Sequence, residues 1–162
     1  MIKAILNGCN GKMGRVVSEE VSKTSDIQIV AGIDKNTQPS PYGYPVFENI
    51  DMFEGSADLI IDFSRPESIP ALVSYAERTK TALMVATTGL GKEHTELLEQ
   101  AAETVPVFHT ANMSLGVNLV KDICCRVASV LSEGFDIEIT EFHHNQKADA
   151  PSGTALMLAK AI

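Results

Sequence analysis

Short apolar runs recur along the first two thirds of the chain, separated by stretches in which apolar positions return at helical spacing. Residues 2–6, 27–33, 59–63, 82–86 and 105–109 are almost uniformly apolar, as strands are when helices cover both faces of their sheet. Between them, residues 13–22, 67–78 and 92–103 carry the 3.6-residue periodicity of amphipathic helices. Strand and helix in alternation predict an α/β fold, a Rossmann-type parallel sheet with helices on both faces. Ser64-Arg65-Pro66-Glu67 reads as a helix start, with proline in the first turn and an acid beside the positive end of the dipole. Residues 37–48 gather Pro39, Pro41, Gly43 and Pro45 and read as a surface loop leading to a short edge element.

After Asn112 the rhythm changes. Residues 115–131 predict a long helix, and residues 135–142 (FDIEITEF) alternate strictly, as a strand with one solvated or intersubunit face does. A polar loop and a further helix reach Ile162. The expected division lies near Met113: residues 1–113 form one domain, and residues 114–162 the first part of a second, α+β domain whose single strand and two helices are too little to close a core.

Composition narrows the possible partners. With 44% hydrophobic and 21% charged residues the chain falls in the globular range. A formal charge of −8 is the wrong sign for wrapping nucleic acid. No segment has the length or flanks of a signal peptide or membrane span. Three cysteines, two of them adjacent at Cys124 and Cys125, read as reduced thiols of a cytoplasmic protein.

The first chemical motif follows the first strand directly: Gly8-Cys9-Asn10-Gly11-Lys12-Met13-Gly14, a G-x-x-G-x-x-G turn opening a helix. Such a turn brings backbone N–H groups and a helix N-terminus against a pyrophosphate. Asp34, about twenty residues on at the end of the second strand, is placed to bind the adenosine ribose hydroxyls of NAD. Another phosphate-binding α/β domain with a coincidental acid remains the competing reading. Asp34 should repel the extra phosphate of NADP, while Lys35, Lys12 or Arg15 could counter that charge, so NADH or NADPH is the expected cofactor. Later strand ends carry Asp62-Phe63-Ser64, Ala86-Thr87-Thr88-Gly89 and Thr110-Ala111-Asn112-Met113, small polar groups suited to the close approach of a flat polar ring.

The second motif is Glu141-Phe142-His143-His144-Asn145-Gln146-Lys147-Ala148-Asp149-Ala150-Pro151-Ser152-Gly153-Thr154. Pro151 at the first helical position would leave the amides of Ser152, Gly153 and Thr154 as an anion-binding nest, beside Lys147 and an imidazole. Histidine can deliver a proton to a site gaining charge as hydride arrives, and lysine can hold or relay that charge. No metal is expected, because adjacent histidines at a strand end point to opposite faces and no cysteine or third histidine is near. His94 reads as a solvated helix position and His109 as a strand end.

With both motifs in hand, the chain resembles the 4-hydroxy-tetrahydrodipicolinate reductases, also called dihydrodipicolinate reductases. The resemblance rests on GCNGKMG, ATTG, TANMSLGVN and EFHHNQKADAPSGTA and covers the whole chain. It implies NAD(P)H-dependent reduction of a cyclic imine dicarboxylate in lysine and diaminopimelate biosynthesis. By resemblance, His143 is the proton donor and Lys147 the second catalytic group. His144, Ser152, Gly153 and Thr154 hold the substrate carboxylates, and Thr88 stands where substrate meets nicotinamide. Gly8, Cys9, Asn10, Gly11, Lys12, Met13, Asp34, Ala86, Thr87, Thr88, Thr110, Ala111, Asn112 and Met113 become cofactor contacts. The resemblance also implies a homotetramer built through the substrate domain's sheet, and a longer chain, so that these 162 residues hold only the beginning of that domain. A different NAD-dependent two-domain dehydrogenase, or a non-catalytic NAD-binding fragment, would share the first motif.

Overall fold

In the computed structural model, which describes every residue except Ser132, Gln146, Ala148 and Asp149, the chain separates into two units, Met1–His109 and Thr110–Ile162. The first holds six strands: β1 (Ile2–Asn7), β2 (Ile27–Ile33), β3 (Val46–Phe47), β4 (Leu59–Asp62), β5 (Ala82–Val85) and β6 (Val107–His109). All pair in parallel, in the order β3-β2-β1-β4-β5-β6. That is the doubly wound arrangement expected from the alternation, with β3 as the short edge element after the proline-rich loop.

The pleat, with a register shift in β2 opposite Ala4 and Ile5 that separates Ile29 from Ala31, explains the layers. Ile5, Ala31, Ile33, Ile60 and Val85 point to one face and pack with Leu72, Tyr75 and Ala76 of α2 (Ile69–Thr79) and Leu98 of α3 (Lys92–Ala101). Ala4, Leu6, Ile29 and Ile61 point to the other, against Val17 and Val21 of α1 (Lys12–Ser22). Ile5, Leu6, Ile60 and Leu72 are each almost fully buried, and a buried aliphatic side chain of this size contributes roughly 1.5–3 kcal/mol. Pro66 opens a short 3-10 turn (Pro66–Ser68) rather than the helix itself, so α2 starts later than the pattern predicts. His94 is not merely solvated: its Nδ1 accepts the Gly91 amide at 3.2 Å and caps α3.

The second unit contains α4 (Leu115–Leu131) and α5 (Gly153–Ala161), which pack on each other. The strand predicted over 135–142 is not formed; these residues belong to no ladder. A strand needs a neighbour to pair its backbone, and no other strand occurs among the described residues of this unit. The whole stretch from Phe135 to Thr140 is exposed, its apolar members Phe135, Ile137 and Ile139 at 64%, 56% and 43%. The apolar stripe of α4, including Leu119, Ile123 and Val127, is exposed as well.

Candidate functional site

The strand order reverses between β1 and β4, and at this switch point the carboxyl ends of the strands open into a cleft of about 640 Å³. Its walls include Gly8, Gly11, Asp34, Lys35, Phe63 and Arg65. Gly8 adopts φ +77°, and a Cβ there would stand 2.6 Å from the Phe63 carbonyl oxygen. A Cβ on Gly14 would meet the Gly8 oxygen at 2.1 Å, so only glycine lets α1 start this close to the turn.

The turn spends most of its own amides on its shape, unlike the expected row of free donors. Gly8 and Cys9 both donate to the Ile33 carbonyl, Gly11 donates to Gly8, and Asn10 donates to Asp34 Oδ2 at 2.9 Å. An anion at this turn would therefore meet the first turn of α1, at Lys12 and Met13, whose amides have no carbonyl four residues back within the helix. The Cys9 side chain is turned into the core beside Tyr44, and burial, with the nearby Asp34 charge, pushes its thiol up to about 11. Only its backbone can face a ligand.

Asp34 sits half-buried at the end of β2. Its two oxygens accept from the amides of Asn10 and Asn36 (2.9 and 3.0 Å), which fixes the carboxylate beside the glycine turn. Sequence reasoning missed Arg65, read only as part of a helix start, although its place one turn beyond β4 at a switch point is where a cofactor contact is expected.

A polar network gathers the strand ends next to this cleft. Asp62, fully buried at the end of β4, accepts from Asn7 Nδ2 (2.8 Å), Ser64 Oγ (2.6 Å) and Thr87 Oγ1 (2.7 Å). The Ser64 amide donates to Thr87 Oγ1 at 3.0 Å. Thr87 is thereby anchored inward, leaving Ala86 half-buried and Thr88 exposed at the turn that Gly89 completes with φ +77°. Thr87, named as a cofactor contact, has its hydroxyl committed to the protein.

In the second unit, Asn112 Nδ2 donates to Thr154 Oγ1 (2.9 Å), joining two residues that the sequence assigns to cofactor and to substrate. Thr110 Oγ1 donates to the Asn112 carbonyl at 3.0 Å, Ala111 is half-buried and Met113 exposed. Pro151 is not the first helical residue: α5 starts at Gly153, with Ser152 as its N-cap, its hydroxyl accepting the Ala155 amide at 3.1 Å. The Ser152 amide is not free either, since it donates to Glu141 Oε1 at 2.8 Å. The nest is thus reduced to the amides of Gly153 and Thr154, because a serine side chain outcompetes proline as the helix signal here.

Glu141 binds the loop together. Its Oε2 accepts from Ser152 Oγ at 2.5 Å and lies 2.8 Å from His143 Nε2, and these hydrogen bonds hold its carboxyl down at about 2. His144 is exposed, and its carbonyl accepts the Lys147 amide at 3.2 Å in a turn; Lys147 itself is half-buried. No group of three or more potential metal ligands occurs among the described residues.

Residues 2–113 match the family profile described as Dihydrodipicolinate reductase, N-terminus, and residues 116–162 the profile described as Dihydrodipicolinate reductase, C-terminus. The chain is 47% identical over its whole length to a 4-hydroxy-tetrahydrodipicolinate reductase of Clostridium novyi, covering 64% of that protein. It is 49% identical to that of Caldanaerobacter subterraneus subsp. tengcongensis, covering 63%. Among solved structures it is similar to the dipicolinate-bound dihydrodipicolinate reductase from Paenisporosarcina sp. TG-14, with TM-score 0.77 and 26% identity over 99% of this chain and 65% of that one. The chain therefore spans just under two thirds of the length of these relatives.

Proposed function

The chain belongs to the dihydrodipicolinate reductase family, and on that premise we propose that the protein of which it forms this part reduces a cyclic imine dicarboxylate, 4-hydroxy-tetrahydrodipicolinate, with NADH or NADPH in lysine and diaminopimelate biosynthesis. The observation that carries this reading is the glycine turn with Asp34 beside a cleft at the sheet's switch point. The residues present fit a dinucleotide. Gly8 and Gly14 keep the turn free of side chains, the first turn of α1 meets the pyrophosphate, and Asp34 takes the ribose hydroxyls. Lys35 and Arg65 in the same cleft supply positive charge for the 2′-phosphate or the adenine end.

When bound, the nicotinamide supplies hydride to the imine. The chain's own groups bind, orient and protonate. Ala86 and Thr88 line the ring, with Thr87 locking their turn to Asp62. The amides of Gly153 and Thr154 and the side chains of His144 and Lys147 receive the substrate carboxylates. His143 delivers the proton, and Lys147 steadies the charge formed on reduction.

The assembly in this reading is a homotetramer. The exposed apolar positions of α4 and of residues 135–142 suit a surface that further strands and a second copy cover. The compartment in this reading is the cytoplasm; no helix among the described residues is long and apolar enough to cross a membrane.

Titration with NADH, then with pyridine-2,6-dicarboxylate as a planar substrate mimic, tests the reading. Binding of both supports it; binding of NADH alone points to a nucleotide-binding fragment or another dehydrogenase. In the active protein His143→Ala should lower kcat about 100-fold with little change in substrate KM, and Gly153→Pro, which removes one of the two remaining nest amides, should chiefly raise that KM. Equal effects of both variants on both parameters would contradict these roles.

A further inference from the structure

Glu141 and His143 stand two residues apart, so an extended backbone projects both side chains to the same side. Glu141 reaches both the imidazole and the helix start: Oε2 lies 2.8 Å from His143 Nε2 and accepts from Ser152 Oγ, while Oε1 accepts from the Ser152 amide. We propose that Glu141 is a positioning residue, whose carboxylate locks the His143 ring and the first turn of α5 into one unit.

Three observations support it. Both carboxylate oxygens are engaged, so the carboxylate cannot turn without breaking a contact. Ser152 is buried and already caps α5 through Ala155, which makes it a fixed anchor rather than a mobile partner. Glu141 is also held ionised far below the usual carboxylate range by these same partners, so the negative end of the clamp persists wherever the protein folds. The first helical turn, Gly153-Thr154-Ala155, brings no titratable side chain to the pair; the other charged or titratable groups of the loop are His144 and Lys147, with Asp149 outside the described residues.

The chemical consequence rests on the reductase reading. With Nε2–H donated to Glu141, the proton available for transfer is the one on Nδ1. Its delivery leaves a neutral imidazole whose Nε2–H is still held by the carboxylate, and water restores the Nδ1 proton. The carboxylate holds the ring in one orientation before and after transfer. The arrangement has the form of a general acid oriented by a buttressed carboxylate.

The experiment uses the chain labelled with 15N-histidine, unsubstituted and as Glu141→Gln and Glu141→Ala. A hydrogen-bonded imidazole N–H is shielded from exchange with water. The expected result is a downfield His143 Nε2–H resonance at low temperature in the unsubstituted chain, retained in Glu141→Gln, whose amide oxygen can still accept, and lost in Glu141→Ala. Absence of the resonance in the unsubstituted chain, or its survival in Glu141→Ala, overturns the proposal. Where turnover is measured, Glu141→Ala should lose 10- to 100-fold in kcat, on the order expected for a misplaced catalytic group. The KM for NADH should stay unchanged, and Glu141→Gln should recover part of the rate. A rise in NADH KM matching the fall in kcat would mark a general folding defect and also overturn it. Lack of turnover in the unsubstituted protein would count against the reductase reading, and the resonance would then decide the clamp by itself.

Discussion

Gly8 shows how much function can hang on one missing methyl group. With φ +77° and the Phe63 carbonyl oxygen 2.6 Å from where a Cβ would stand, Gly8→Ala combines an unfavourable backbone conformation of roughly 1–2 kcal/mol with a clash against backbone that cannot step aside. The expected outcome is a fall of several degrees in Tm by calorimetry and a loss of NADH affinity of about 10-fold or more by fluorescence titration. Asp62 is the buried counterpart. Truncation to Ala would leave Thr87 Oγ1 without its carboxylate acceptor, while Asn7 and Ser64 keep each other and Ser68 as partners, so urea unfolding should show a cost of about 1–3 kcal/mol, that of one orphaned buried donor. Glu141 makes a pH prediction. Its folded value, about 2, lies below the ordinary glutamate value of 4.5, so its contacts add stability that is fully present above pH 4.5 and lost as pH falls towards 2. The Glu141 carboxyl carbon, followed by NMR, should titrate well below those of exposed glutamates; a midpoint near theirs would refute the contact. The glycine turn and the acid beside it could be read from the sequence because a tight strand-to-helix turn needs glycine at a fixed spacing. Arg65 and the Asp62 network could not, because only the meeting of β1, β4 and β5 brings Asn7, Asp62 and Thr87 together.

At the level of elements, periodicity was a good guide wherever the backbone pairs within the segment or with a neighbouring strand. β2 and α4 run over the residues their patterns mark, Ile27–Ile33 and Leu115–Leu131. It misled where structure depends on a partner or a cap. Residues 135–142 carry a strand's alternation without a ladder, since alternation reports which face is apolar and says nothing about who pairs with the backbone. Pro151 was outweighed by Ser152, whose hydroxyl satisfies the Ala155 amide. Ser152→Ala should therefore destabilise α5 by about 1 kcal/mol through the lost cap, and should also release the Glu141 carboxylate from one of its donors. Helical circular dichroism during thermal melting would measure the first effect.

At the scale of the whole molecule, the two units differ in how far they stand on their own. Met1–His109 buries its apolar side chains on both sheet faces, whereas α4 and α5 bury none fully. Residues 1–109 produced alone should fold cooperatively and bind NADH within a few-fold of the full chain; a molten product would show that the second unit is needed for the first. The Cys9 thiol, sealed beneath the glycine turn and held towards 11, ties these scales together in a practical way. Cys124 and Cys125 are part-exposed on α4, so a maleimide dye at neutral pH should couple there and spare Cys9. That chemistry offers a fluorescent handle on the second unit while the glycine turn stays unmodified.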